Sequence, residues 1–311
     1  MKIAVLYGGV SNEREVSISS SKGIIQALKN NGHDVLSIDF HPDRLEELIQ
    51  LDVDLVFIGL HGKYGEDGSI QGLLDMLKIP YVGSGVLASS LAMDKYKAKQ
   101  MFQAVGIPTA KDEQFYLTVD SDLDQVVEKI HSSFSFPFVI KPNREGSTVG
   151  LSVVKNETET LNALKKAMEN DPFVLVEQFI DGMELTVPVL GRLDKERALP
   201  IIEIVPKNEI YDYESKYTEG GSEHIIPARI SDELTEQIKQ YAVAAHRVLG
   251  CKTYSRVDFL LTNDGTPYIL EVNTLPGMTP TSLFPDSAQS ENITYDEMIE
   301  MLVQLSIEER D

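Results

Sequence analysis

The chain predicts an α/β unit with a parallel sheet, followed by an α+β region built from antiparallel strands. Three observations carry that prediction. The first ninety-odd residues alternate short apolar strands with amphipathic helices, which places parallel strands under covering helices. From Phe136 onward, strand-like segments surround a single helical stretch. Near the end, Asp264-Gly265 sits between two apolar runs, the strongest short-range signal for a hairpin.

In order along the chain, Ile3–Tyr7 reads as a strand, Ser17–Lys29 as a helix closed by Gly32, and Val35–Asp39 and Val53–Gly59 as further strands. Helical patterns follow at Ser69–Leu77 and Leu87–Ala104, the second stopped by Gly106-Ile107-Pro108. A domain boundary is placed near Met93. Strands are expected at Phe136–Lys141, Leu151–Lys155 and Phe173–Glu177 around a helix at Glu157–Met168. Beyond them come strands Glu184–Leu190 and Ala198–Val205, then a weakly periodic stretch from Pro206 to Arg229. A stretch of that length is characteristic of a lid or binding loop. A helix capped by Ser231 and ended by Gly250, the hairpin, and a helix near Tyr295–Ser306 complete the order.

With 42% hydrophobic and 25% charged residues over 311 positions, the chain has the composition of a globular protein. Its formal charge of -21 would repel a phosphate backbone, so nucleic acid is not expected as a partner. An anionic ligand would have to be met by local cations, metal ions or backbone N–H groups. No segment approaches the roughly 20 apolar residues that span a bilayer, and no signal peptide is read, so a cytoplasmic location is expected. The single Cys251 has no ligand-spaced His or Cys and reads as a small structural residue.

The hairpin is the most informative stretch. Taking Asp264-Gly265 as a two-residue turn sets Asp258 opposite Glu271 and Arg256 opposite Asn273, all on one face. Directly opposed carboxylates need a shifted pKa or a cation between them. Two carboxylates and an Asn carbonyl make a hard-oxygen set suited to Mg²⁺. Taken alone, the arrangement fits metal binding and a solvated acidic face equally, and Pro267 beside the turn leaves the register open by one residue.

Lys141 ends an apolar strand and leads into Pro142-Asn143-Arg144-Glu145-Gly146-Ser147-Thr148-Val149-Gly150, a composition suited to cradling phosphate and equally to a tight turn. Tyr7-Gly8-Gly9-Val10-Ser11-Asn12-Glu13 follows the first strand, where α/β sheets bind ligands, but lacks the dinucleotide G-x-G-x-x-G pattern. Glu13 there could hold an amino group or face solvent; His61, at another strand end, reads as a functional or a capping residue. Lys95, on the helix after Met93-Asp94, reads as part of a solvated face; Glu177-Gln178-Phe179-Ile180 and Glu184 are individually ordinary, and as polar groups at an apolar strand end they could read adenine or ribose.

Taken together, Gly8–Ser17, Leu60-His61-Gly62, Gly65-Glu66-Asp67-Gly68, Tyr81-Val82-Gly83-Ser84-Gly85, Met93-Asp94-Lys95, Lys141-Pro142, Arg144-Glu145-Gly146-Ser147 and Glu271-Val272-Asn273-Thr274-Leu275-Pro276-Gly277-Met278-Thr279 resemble the D-alanine–D-alanine ligases of the ATP-grasp superfamily, in that family's order along almost the whole chain. The resemblance implies a Rossmann-like, pre-ATP-grasp substrate domain over residues 1–93. It implies a two-part ATP-grasp fold after it, with a central subdomain at 94–182 and a C-terminal one at 183–311 that carries the lid (about 206–229) and the metal site.

The activity so implied joins two D-alanines through a D-alanyl phosphate for peptidoglycan precursor synthesis. By the same resemblance, Asp258, Glu271 and Asn273 hold Mg²⁺, two ions for which Mn²⁺ can substitute. Lys95, Lys141, Glu177, Gln178, Phe179, Ile180 and Glu184 hold ATP. Glu13 takes the first D-alanine's ammonium near His61, Ser147 links Glu13 to the lid through Tyr217, and Lys216 of the lid approaches the transferred phosphate. Arg256 and the Gly277 N–H form an oxyanion site, and Ser282 and Leu283 hold the second D-alanine. The aromatic Tyr217 resembles dipeptide-forming members, whereas D-alanine–D-lactate ligases often carry His in this loop. Asn143, Thr148 and Leu275 replace residues that are often Ser in the family. A homodimer through the N-terminal domain is expected. The competing readings are a D-alanine–D-lactate ligase or another ATP-grasp carboxylate–amine ligase and, from different classes, a non-catalytic nucleotide-binding sensor and a nicotinamide dehydrogenase, the last disfavoured by the missing glycine fingerprint.

Overall fold

A computed structural model describes residues 1–206 and 221–308. Three sheets are built in it. The first is parallel, in the order β2-β1-β3, from β1 (Lys2–Gly8), β2 (Asp34–Phe40) and β3 (Leu55–Ile58). Helices α1 (Arg14–Asn30), α2 (Glu46–Ile49) and α3 (Ser69–Leu77) lie between and after these strands. β1 and β3 are buried almost throughout, as strands covered on both faces must be.

The expected single helix from 87 to 104 is two, α4 (Val86–Met93) and α5 (Lys95–Ala104). Asp94 breaks it. Its backbone is extended, and its side chain accepts from the Lys97 N–H at 3.0 Å, so it serves as the N-cap of α5. The second sheet, antiparallel in the order β4-β7-β5-β6, contains β4 (Asp112–Tyr116), β5 (Phe138–Pro142), β6 (Ser152–Val154) and β7 (Phe173–Gln178). Helices α6 (Leu123–Ser133) and α7 (Glu157–Met168) cover it.

The third sheet is also antiparallel, β11-β10-β8-β12-β13 with β9 beside β8. Its strands are β8 (Met183–Gly191), β9 (Arg197–Ala198), β10 (Ile202–Pro206), β11 (Ser222–Ile225), β12 (Thr253–Leu261) and β13 (Pro267–Asn273). Helix α8 (Asp232–Leu249) begins at Ser231, whose hydroxyl accepts from Leu234 N–H, and ends at Gly250 in the left-handed conformation, as the sequence signals predict. Helices α9 (Leu283–Ser290) and α10 (Tyr295–Glu308) follow.

The cores cross the sequence order. Met298, Ile299, Leu302 and Val303 of α10 join Ile24, Ala27 and Leu28 of α1 in the core under the first sheet. Ala88 and Ala92 of α4 and Ala98 and Phe102 of α5 pack with α8 under the third. Strand β4 and helices α6 and α9 are absent from the expected order; β4 buries only Phe115, whereas α6 does carry a helical pattern, Leu123, Val126, Val127 and Ile130 behind the Asp122 cap, which places it on the core under the second sheet. Among the described residues no helix is long and apolar enough to cross a membrane.

Replacing the Asp94 cap should destabilise the fold. Asp94→Ala is expected to lower stability by about 0.5–2 kcal/mol in urea unfolding, while Asp94→Asn, which keeps the acceptor, stays near wild type.

Candidate active site

The expected pairs are present: Arg256 lies opposite Asn273 and Asp258 opposite Glu271. The turn is not the two-residue one, however. Thr262 N–H donates to Thr266 O at 3.1 Å, Gly265 N–H to Thr262 O at 2.9 Å, and Leu261 pairs with Pro267. That loop alone would set Asp258 against Leu270. A bulge inserts Leu270 between the pairs Asp258–Glu271 and Phe259–Ile269, and restores the carboxylates to one face. The mark of the bulge is two successive half-buried residues, Leu270 and Glu271, where strict alternation allows one.

Cations from two elements neutralise this acidic pair. Arg256 donates from Nε and Nη2 to the two Asp258 oxygens at 2.9 and 2.8 Å. Thr186 Oγ1 and Asn273 Nδ2 also donate to Asp258, at 2.5 and 3.1 Å. Lys95 Nζ, at the start of α5, lies 3.2 Å from Glu271 and donates to the Glu145 carbonyl at 2.7 Å. Burial works against the Lys95 charge, but Glu271 outweighs it and raises the pKa. Among the described residues no three acidic, His or Cys side chains cluster in a metal-ligating group. Asp258, Glu271 and an amide oxygen of Asn273 on one face do fit a hard divalent cation completed by water and phosphate oxygens. Rotating the Asn273 amide by half a turn presents that oxygen.

A second charged cluster lies on the four-stranded sheet. Glu177 on β7 sits diagonally from Lys141 on β5, on the same face, and its carboxylate is held by Lys141 on one oxygen and Lys99 on the other. Asp112 on β4 is 3.4 Å from the same Lys99. Burial pushes the Glu177 carboxyl up, yet Lys141 and Lys99 more than offset it and hold the pKa down at about 2. Lys99 is only 1% exposed. Its spacing of four from Lys95, on the side of α5 that also carries the buried Phe102, was the available signal for it.

The loop after Lys141 is hung from its first two residues. Asn143 Oδ1 accepts from Tyr96 N–H at 2.8 Å, and Arg144 forks onto the buried Asp171 at 3.0 and 2.6 Å. Ser147 and Thr148 then adopt positive φ. This turns the Ser147 hydroxyl onto the Glu13 carboxylate, which comes from the other end of the cleft, just before α1. Ser11 fixes that end by donating to His61 O at 2.7 Å and accepting from Glu13 N–H at 3.2 Å.

His61 is buried and turns both nitrogens to protein atoms, Leu275 O at 3.0 Å and Ser20 Oγ at 3.4 Å. Burial lowers its pKa, against the opposing pull of Glu13. Glu66, to which the sequence reading gave no role, accepts from Gly62 N–H at 2.6 Å. Its pKa is pushed up to about 8, first by burial and then by the nearby Glu13 charge.

The remaining candidates divide. Glu184 lies on β8 beside Leu260 of β12. Gln178 spends its side-chain amide on the carbonyls of Ser135 and Pro137, at 3.1 and 2.9 Å, and Phe179 and Ile180 are half-buried in the link to β8. Gly277 follows β13 in the turn that reaches α9. Ser282 accepts from Thr279 N–H at 3.0 Å, and Leu283 is buried against Ile202 and Ile204. Lys216 and Tyr217 lie outside the described residues.

Comparison with known proteins agrees along the chain. Residues 101–304 match the family model described as the D-ala D-ala ligase C-terminus, and residues 44–84 match the one described as its N-terminus. A D-alanine–D-alanine ligase of Halalkalibacterium halodurans is 57% identical over 99% of both chains, and one of Carboxydothermus hydrogenoformans is 46% identical over 100% of this chain and 99% of its own. Among solved structures, the D-alanine–D-alanine ligase of Bacillus anthracis complexed with ATP superposes with a TM-score of 0.82 at 34% identity, covering 100% of this chain and 98% of that one. The VanG D-Ala:D-Ser ligase of Enterococcus faecalis superposes with a TM-score of 0.85 at 31% identity, covering 98% and 99%.

The raised Glu66 carboxyl sets a pH dependence. Its folded pKa of about 8 lies above the ordinary 4.5, so the folded state binds the proton more tightly and stability drains away as pH rises through that window. Urea unfolding at about pH 5 and about pH 8.5 should therefore show a smaller loss for Glu66→Gln than for the wild type; equal losses would refute the assignment.

Proposed function

The chain belongs to the D-alanine–D-alanine ligase family, and from that premise we propose that it is an ATP-dependent ligase condensing two D-alanines. The observation that carries this reading is that the carboxylate of Glu13, bonded to Ser147, and the guanidinium of Arg256, beside the opposed pair Asp258 and Glu271, both act on the one buried carboxyl of Glu66 and so share a cleft; Glu13 is then the amine-binding group and Arg256 the oxyanion donor. A nucleotide sensor needs no such donor.

In this reading the first D-alanine's ammonium sits on Glu13, and its carboxylate attacks the γ-phosphorus of ATP, releasing ADP and leaving a D-alanyl phosphate. Such a transfer depends on positioning and on charge stabilisation. Lys95 and Lys141 supply cations beside the phosphates, while Glu177, Gln178, Phe179, Ile180 and Glu184 line the nucleotide. Mg²⁺, or Mn²⁺ in its place, held as two ions by Asp258, Glu271 and Asn273, supplies neutralisation of phosphoryl oxygens when bound. The second D-alanine, at Ser282 and Leu283, gives its amine to the acyl carbon. Arg256 and the Gly277 N–H then meet the oxyanion that develops before phosphate leaves.

Lys216 and Tyr217 are assigned to a lid over this site, since an acyl phosphate exposed to water hydrolyses. The working division is residues 1–93 for the first substrate and 94–182 with 183–311 for ATP. A cytoplasmic location, a role in peptidoglycan precursor synthesis and a homodimer through the N-terminal unit complete the proposal.

Phosphate release from ATP should require both Mg²⁺ and D-alanine, and should match dipeptide identified by mass. Offering D-alanine with D-lactate or D-serine should leave the dialanine dominant. A depsipeptide or a D-alanyl-D-serine as main product would reassign the second substrate, and absence of turnover with every D-amino acid would remove the ligase reading. Sedimentation of the purified chain at micromolar concentration is expected to give a dimer; monomer alone would sink that part.

A further inference from the structure

Three hydrogen bonds converge on the turn that carries Gly277. His61 Nδ1 donates to Leu275 O at 3.0 Å, Met278 N–H donates to Ser20 Oγ at 3.2 Å, and the Tyr295 hydroxyl donates to Met278 O at 2.6 Å. Ser20 and His61 also meet each other, at 3.4 Å. Leu275, Met278, Ser20 and His61 are all buried.

Chemistry fixes the direction of each bond. A carbonyl oxygen only accepts, so the Leu275 contact places the His61 proton on Nδ1, and neutral His61 then accepts at Nε2. Burial favours that neutral ring. The Ser20 hydroxyl therefore donates to His61 and accepts from Met278. One small side chain links both sides of the turn.

The tethered groups flank the peptide unit that matters. Leu275 O belongs to the peptide before Pro276, and Met278 N–H belongs to the peptide after Gly277. Between them lies the Pro276–Gly277 peptide, the one that carries the Gly277 N–H. Pro276 already fixes its own φ. With both neighbouring peptides held, the place of the Gly277 peptide is set, and its N–H can change direction only by rotation about ψ of Pro276 and φ of Gly277.

Helix α1 is shaped for this. Gly23 lies one turn beyond Ser20 on the same face, and a Cβ there would stand 2.9 Å from the Tyr295 hydroxyl. The missing side chain admits Tyr295 from α10.

We propose that Ser20 is a positioning residue for the ligase reaction: with His61 and Tyr295 it forms a clamp through which α1 aims the Gly277 N–H at the transferred acyl group. This inference rests on the oxyanion role assigned to Gly277 above. The clamp acts on the second half of the reaction, where the tetrahedral oxyanion forms, and not on phosphoryl transfer.

The test separates the two halves. Positional isotope exchange in labelled ATP with D-alanine reports reversible formation of the acyl phosphate, and dipeptide turnover reports the whole sequence. Ser20→Ala, and Tyr295→Phe as the variant that keeps the ring packing, should each lower kcat for dipeptide roughly tenfold, the size of a lost buried hydrogen bond or two. Isotope exchange and KM for ATP should stay within about twofold of wild type. Parallel loss of exchange and dipeptide, or no change in either, overturns the clamp. Gly277→Pro, which removes the N–H itself, distinguishes the premise: if it transfers at the wild-type rate, the oxyanion reading fails with the clamp. If it is impaired while Ser20→Ala and Tyr295→Phe are normal, the clamp alone fails.

Discussion

Carboxylates brought face to face in a partly buried cleft repel one another strongly unless cations reach them from other elements, and the architecture is arranged around that supply. Asp258 and Glu271 stand directly across a ladder, where like charges are destabilising. Arg256 answers the first from the same strand, and Lys95 answers the second from a helix. Glu177 and Asp112 form a second acidic group, answered by Lys99 and Lys141. In a chain with 28 basic against 49 acidic residues, gathering four cations at one cleft leaves the rest of the surface acidic.

Helix α5 delivers half of that supply. Lys95 and Lys99 are four residues apart, so they project from one side of the helix, yet one reaches the six-stranded sheet and the other the four-stranded sheet. A single short helix thereby ties the two walls of the proposed nucleotide cleft together electrostatically. The break at Asp94 makes this possible, because an uninterrupted helix from Val86 would carry α5 along the axis of α4. Removing one partner from a buried charge cluster typically costs about 3–5 kcal/mol, which is why such a helix is hard to alter piecemeal.

The N-terminal unit contributes more than a substrate-binding edge. Its core continues into α10, so that helix from the end of the chain packs on α1 near its start. Close packing of that kind transmits position with little slack. Loops at the sheet ends inherit it: Glu13 leads into α1, His61 follows β3, and Tyr295 begins α10. The residues nearest the proposed chemistry are thus held by elements whose own places are set by apolar burial elsewhere.

The sequence by itself determined the alternating βα start, the helix from Ser231 to Gly250, the facing of Asp258 and Glu271, and the family signature. Each of these is written locally, in a 2.0 or 3.6 periodicity, a cap, or a contiguous motif. What it did not carry was the geometry that makes the site. The hairpin's three-residue loop and the Leu270 bulge cancel each other, so a register argument reached the right pairing through the wrong turn. Strand β4 buries only Phe115 and leaves no alternation to read. The partners of Lys99, Glu66 and Ser20 are not written beside them along the chain; for Lys99 only its spacing of four from Lys95 gives a hint, and Glu66 stands in a motif that names no partner. Their partners lie far away: Lys99 meets Glu177 across 78 residues, and Ser20 meets Met278 across 258. Periodicity fixes which face a side chain is on, but only tertiary packing decides which other face it meets, and the energy of a buried charge or hydrogen bond resides in that meeting.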